Sequence, residues 1–210
     1  NGLQKFLIGK KGFRTEEMFK AGLLSSQTAN PSDFFRDRLI FPLKDHRGNY
    51  VGFSGRTIGV WEAGKSFGPK YMNTPETRVY QKGDLLYGLE AAKEAIKKQN
   101  RAVIVEGELD LISSYEIGIE NVVAIKGSAL TEAQVKLLKR FCDDIVLVLD
   151  ADIAGDMAAR RGIETADIHG LNIRAVHLPE GKDPDELARK DPEALKKAIK
   201  EAVPVYDFYL

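Results

Sequence analysis

Four short runs of Val, Ile, Leu and Ala recur in the second half of the chain: "RAVIVEG" (101–107), "NVVAIKG" (121–127), "DIVLVLD" (144–150) and "NIRAVHLP" (172–179). Each is nearly continuously apolar rather than alternating, the pattern of a strand covered on both faces in a parallel sheet. Between them, "LDLISSYEIGI" (109–119), "TEAQVKLLKRF" (131–141) and "AGDMAARRGIETADIHG" (154–170) repeat apolar residues at three and four, the period of a helix. Thr131 is placed as an N-cap, and Gly118 and Gly170 stand where helices should stop. Strand and helix alternate, so the expected fold is α/β, a parallel sheet with right-handed crossovers and flanking helices.

In such a sheet the functional edge is the carboxyl end of the strands. Glu106 follows the first run, Asp150 ends the third with Asp152 just beyond it, and Asp183 and Asp185 follow the fourth in "GKDPDEL" (181–187). Carboxylates from three segments are therefore expected at one edge. Like charges brought that close repel and cost stability unless a cation sits among them. The candidate ligands are all oxygens, which favours a hard ion such as Mg²⁺ or Mn²⁺ over zinc. Several of the acids also have a plainer reading: Asp152 as a helix cap, Asp183 and Asp185 as a turn and a helix N-cap before "DELARK", and Glu108 as a solvated first-turn acid favoured by the helix dipole.

Lys and Arg equal Asp and Glu at 31 each, but the charge is segregated. Residues 1–100 carry 17 basic against 10 acidic side chains, which leaves 14 against 21 for residues 101–210. A basic half can hold phosphate backbones, and an acidic half can hold the divalent cations that hold phosphates. In the basic half, "LIFPLKDHRGNYVGFSGRTIGV" alternates apolar positions around Arg47-Gly48-Asn49, a turn between two strands. Arg38, Arg56 and Lys70 then fall near strand or loop edges, among Tyr71, Tyr80 and Tyr87. The spacing alone leaves open whether they are phosphate grips or ordinary solvated surface. The longest apolar stretches are far short of the roughly 18–20 residues a bilayer needs, and the start lacks the organisation of a signal peptide. The single cysteine, Cys142, allows no internal disulfide and no thiolate metal site, which fits a reducing, cytosolic compartment and makes it a small core residue.

A strand ending in Glu-Gly, then a helix, then a strand ending in Asp-x-Asp resembles the TOPRIM pattern; here it reads "VEGELD" and "LDADIAG". Longer motifs narrow the likeness. "FFRDRLIFPLKDHRGNYVGFSGR" (34–56) and "PKYMNTPETRVYQKGDLLYGL" (69–89) resemble the RNA polymerase core of bacterial DnaG-type primases. That resemblance implies an acidic metal-binding set of Glu106, Asp110, Asp150, Asp152, Asp183 and Asp185, with Glu106, Asp110, Asp150 and Asp152 at the catalytic centre. It also implies a ridge of Arg36, Arg38, Arg56, Lys70, Asn73 and Lys82 that engages nucleotide phosphates and nucleic acid. Two departures stand out. The family usually carries Glu-Gly-Tyr-Met-Asp where this chain has Glu106-Gly107-Glu108-Leu109-Asp110, and Asp-Gly-Asp where it has Asp150-Ala151-Asp152.

The activity implied is DNA-directed synthesis of short RNA primers by Mg²⁺- or Mn²⁺-dependent nucleotidyl transfer. Its partners would be single-stranded DNA, ribonucleoside triphosphates and the RNA primer, in the bacterial cytoplasm at the replication fork and with no membrane. A zinc-binding domain before the core and a helicase-binding domain after it are expected of the family; neither lies in these 210 residues, so the chain reads as part of a larger protein. Competing readings are a TOPRIM nuclease that activates water with the same acids, a topoisomerase, and a non-catalytic nucleic-acid-binding module. No tyrosine sits in a recognisable nucleophile setting. The expected organisation is a basic mixed α/β subdomain at 1–95, a TOPRIM subdomain at 96–180, and an acidic loop with the start of a helical tail at 181–210.

Overall fold

The computed structural model describes residues 2–25, 31–59, 68–127, 129–148, 157–178 and 183–208. Two compact units divide the chain, Asn1–Lys44 with Asn49–Lys82, and Asp45–Gly48 with Gly83–Leu210.

The first unit begins with helices α1 (Gly2–Lys11) and α2 (Thr15–Lys20) and continues into the antiparallel sheet β1 (Arg38–Lys44), β2 (Tyr50–Thr57) and β3 (Tyr71–Asn73), in that spatial order. The expected turn after β1 is made by Asp45–Gly48, where the Gly48 N–H donates to the Asp45 carbonyl at 2.9 Å and Gly48 takes a φ of 94°. Gly55 is required by close packing: a Cβ there would stand 2.8 Å from Phe35 and 3.0 Å from Arg38.

The second unit carries helices α3 (Leu89–Gln99), α4 (Glu108–Glu116), α5 (Glu132–Leu138), α6 (Met157–Ile168), α7 (Pro184–Lys190), α8 (Pro192–Lys200) and the short α9 (Val205–Phe208). Its strands are β4 (Arg101–Val105), β5 (Val122–Ala124), β6 (Asp144–Leu147), β7 (Asn172–Ala175) and β8 (Val203–Pro204), in the order β5-β4-β6-β7-β8. The first four run parallel and β8 closes the far edge antiparallel to β7. The mixed α/β architecture with a central parallel sheet is the one expected. Among the described residues no helix is long and apolar enough to cross a membrane.

Both faces of that sheet are buried at β4, β5 and β6, which explains their unbroken apolar runs, whereas β7 alternates, with Asn172 and Arg174 exposed and Ile173 and Ala175 buried. Ala102 and Ile104 of β4 join Ile145 of β6 and Val123 of β5 under Leu89 and Ile96 of α3, Leu138 of α5 and Ile163 of α6. Val103 and Val105 point the other way and join Val122 and Val146 beneath Leu111 of α4, Leu187 of α7 and Leu195 of α8. The amphipathic "EALKKAIKEA" accordingly packs on the sheet. Thr131 caps α5 as expected: its Oγ1 accepts from the Gln134 N–H at 3.2 Å, and Gln134 Oε1 accepts from the Thr131 N–H at 3.0 Å. Gly118 and Gly170, at φ values of 94° and 72°, end α4 and α6.

Candidate functional site

The parallel register brings the carboxyl ends of β4, β5, β6 and β7 to one edge. Glu106, half-buried, is the first residue past β4. Asp110 is the third residue of α4, and its Oδ2 accepts from the Gly107 N–H at 3.0 Å, satisfying a donor that the helix start leaves unpaired. This bond turns the Asp110 carboxylate back toward the strand end, and a negative charge in the first turn is favoured by the helix dipole.

Glu108 overturns its expected place. It is not solvated: only 4% of its side chain is exposed, and its Oε1 accepts from Lys126 Nζ, which is 3% exposed. Lys126 is the second residue past β5, the parallel neighbour of β4, and meets Glu106, the first residue past β4. Its N–H donates to the Glu106 carbonyl at 2.9 Å, continuing the ladder in which the Ile125 N–H meets the Val105 carbonyl at 3.1 Å. Lys126 holds a φ of 57°, and its Nζ lies 5.8 Å from the centroid of the Tyr87 ring.

Asp183 is the N-cap of α7, with Oδ1 accepting from the Glu186 N–H at 2.6 Å and Pro184 in the first turn. Oδ1 of Asp185 accepts from Ser113 Oγ of α4 and, at 2.7 Å, from Arg189 Nε. Ser113 lies one turn beyond Asp110, so this bond ties the helix carrying Asp110 to the helix carrying Asp185. Asp150 and Asp152 lie outside the described residues. Among the described residues no three His, Cys, Asp or Glu side chains form a metal-binding group. The donors that the described strand and helix ends do supply, Glu106, Asp110, Asp183 and Asp185, are all carboxylates, the chemistry that suits a hard divalent cation.

In the first unit the register sorts the basic candidates. Arg56 pairs with Tyr71 and Ser54 with Asn73, so these four side chains share one face of β2 and β3, whereas Arg38, opposite Thr57, belongs to the other. Arg38 is buried, and its Nη1 donates to the carbonyls of Gly55 at 3.2 Å and Lys70 at 3.3 Å, with burial lowering its pKa. It ties β1 to β2 and to the approach to β3. On the Arg56 face, the Arg56 guanidinium carbon lies 5.8 Å and Lys70 Nζ 6.0 Å from the Tyr71 ring centroid. Ser54 Oγ, Arg56 Nε and Asn73 Oδ1 are buried atoms with no hydrogen-bond partner among the described residues. Three such atoms lie on one sheet face. Arg36 and Lys82 are exposed, the latter in the 3₁₀ turn Lys82–Asp84.

Comparison with known proteins places both units. The family described as DNA primase catalytic core, N-terminal domain, matches residues 1–93, and a Toprim-like family matches residues 103–188. The DNA primase of Clostridium acetobutylicum is 42% identical over 200 residues, covering 94% of this chain and 32% of that protein. The chain thus spans about a third of the length of the curated relatives it matches. The RNA polymerase domain of Mycobacterium tuberculosis primase DnaG superposes with a TM-score of 0.81 at 30% identity, covering 100% of this chain and 69% of that one. A DnaG primase catalytic domain solved bound to single-stranded DNA superposes with a TM-score of 0.83 at 34% identity, covering 97% of this chain and 66% of that one.

Proposed function

The chain belongs to the DnaG-type family of DNA primase catalytic cores, and on that premise we propose that it joins ribonucleotides into short RNA primers on single-stranded DNA. The observation that carries this reading is the β4–α4 junction, where Glu106 and Asp110 are held at the carboxyl edge of a parallel sheet by the Gly107 N–H and the Lys126 N–H. Mg²⁺ or Mn²⁺ would be held by Glu106, Asp150 and Asp152, with Asp183 and Asp185 as further ligands or as carboxylates that orient them. When bound, such ions lower the pKa of the attacking 3′-hydroxyl and neutralise charge on the triphosphate and the departing pyrophosphate. Asp110 acts on the site by fixing the first turn of α4 beside Glu106.

Arg56, Asn73 and Lys70 orient the phosphates of the incoming ribonucleoside triphosphate. Arg56 Nε, buried and unpaired among the described residues, donates to a phosphate oxygen, and Asn73 Oδ1, equally unpaired there, accepts from a hydroxyl or amino group of the nucleotide. Arg38 holds this platform from behind, and the exposed Arg36 and Lys82 follow the template backbone. Contacts of this kind are salt-dependent and tolerant of sequence. The protein works in the bacterial cytoplasm at the replication fork, and the replicative helicase is engaged by a domain outside these 210 residues.

The test is incorporation of labelled ribonucleotides on single-stranded DNA with Mg²⁺, Mn²⁺ or EDTA, for the wild type and Asp150→Ala. Metal-dependent RNA that disappears in a normally folded variant is the expected result. A variant with wild-type synthesis, or degradation of the template in place of synthesis, overturns the reading.

A further inference from the structure

We infer that Lys126 is a positioning residue for the acidic site, bracing the Glu106–Glu108 turn from two sides and keeping Glu108 out of the metal-ligand set. The inference rests on the metal reading above and deepens it. One side of the brace is backbone: the Lys126 N–H donates to the Glu106 carbonyl at 2.9 Å, so the second residue past β5 grips the first residue past β4. The other is electrostatic: the Lys126 ammonium pairs with the Glu108 carboxylate, two residues further along the same turn.

Lys126 is itself held in place. Its φ of 57° belongs to the left-handed region, which a lysine keeps only where its surroundings over-determine it. Those surroundings are the ladder bond on one side and, on the other, the face of Tyr87, whose backbone exchanges two hydrogen bonds with Ala124 at 2.9 and 3.0 Å. Both charged groups are almost fully buried, and a buried carboxylate persists as a charge only with a close partner. Glu108 stands where the resembling family usually carries tyrosine, adding a negative charge between Glu106 and Asp110. Lys126 cancels that charge, so the neighbouring carboxylates face a cation without a competing acid. The pair thereby converts an unfavourable substitution into a fixed geometry for Glu106.

The test is binding of Mn²⁺ alone, followed by the electron paramagnetic resonance signal of the free ion, on the 210-residue chain. The wild type is compared with Glu106→Ala and with the double variant Glu108→Gln, Lys126→Met, which keeps the side-chain lengths and removes both charges. The double variant is expected to melt within a few degrees of the wild type and to bind Mn²⁺ about ten-fold more weakly, the scale on which groups that orient ligands act. Wild-type affinity in the double variant, with affinity lost in Glu106→Ala, overturns the brace and leaves the metal reading standing. Wild-type affinity in Glu106→Ala overturns the metal reading, and the inference falls with it. If the double variant does not fold, the double variant Glu108→Gln, Lys126→Gln decides, because an amide pair removes both charges and leaves a polar partner at each buried position: weakened Mn²⁺ binding supports the brace, and unchanged binding overturns it.

Discussion

Cys142 shows how completely position decides the chemistry of a residue. It is 3% exposed in the core under α3 and α5, and burial pushes its thiol up to about 11 from an ordinary 9.0, with Asp143 and Asp144 adding to the rise and an Ala102 backbone contact and Lys139 opposing it. Because the folded state holds the proton more tightly than the unfolded chain, the contribution to stability is complete below pH 9 and is lost as the pH rises toward 11. A thiol reagent should therefore modify Cys142 below pH 9 only when denaturant unfolds the chain, and Cys142→Ala should flatten the alkaline fall in stability measured by urea unfolding. Modification of the native protein at the rate of a free thiol would refute the buried assignment. The sequence made the core role of this residue legible, since a lone cysteine beside an apolar run has no partner to serve. It made Glu106 legible too, because the end of a buried strand is a poor place for a carboxylate without a purpose. The fate of Glu108 was not legible: its partner lies 18 positions away, and only the pairing of β5 with β4 brings them together.

At the scale of elements, the parallel strands of the second unit and the helices between them follow from apolar period, because at β4, β5 and β6 two covered faces leave the chain little choice of what to bury; the two-residue strand β8 does not. The first unit was harder to read. β3 is three residues long, and no periodicity can announce a strand that short; its register, Arg56 against Tyr71 and Ser54 against Asn73, is nevertheless what separates Arg56 and Asn73 from Arg38. The N-terminus of α7 presents a different ambiguity, since Asp183 both caps the helix and is a proposed metal ligand. The two roles separate by substitution. Asparagine caps as well as aspartate, so Asp183→Asn should keep the stability of the wild type in urea unfolding, whereas Asp183→Ala should lose about 1 kcal/mol. If Asp183 is also a ligand, both variants should weaken Mn²⁺ binding; wild-type binding in Asp183→Asn would leave it a cap and nothing more.

At the scale of the whole molecule, the charge asymmetry that the net value hides becomes a division of labour. Residues 1–100 carry the excess of Lys and Arg and residues 101–210 the excess of Asp and Glu, so the proposed function assigns affinity for nucleic acid and affinity for metal to different parts of the chain. Each should then respond to its own perturbation. Binding of single-stranded DNA without divalent metal should weaken linearly in log[salt], with a slope of about −0.7 for each phosphate neutralised. Arg36 and Lys82 are exposed and are the proposed contacts to the template backbone, so alanine at either should make the slope shallower by about 0.7. Arg38 is different: its guanidinium is spent on the carbonyls of Gly55 and Lys70, so Arg38→Ala should destabilise the sheet more than it changes the slope. Glu106→Ala should leave the metal-free slope as it is in the wild type, because removing a carboxylate neither adds nor removes a phosphate contact. A slope changed by Glu106→Ala and untouched by Arg36→Ala and Lys82→Ala, measured by fluorescence anisotropy across a salt series, would show that the nucleic acid lies against the acidic edge and would reverse the division.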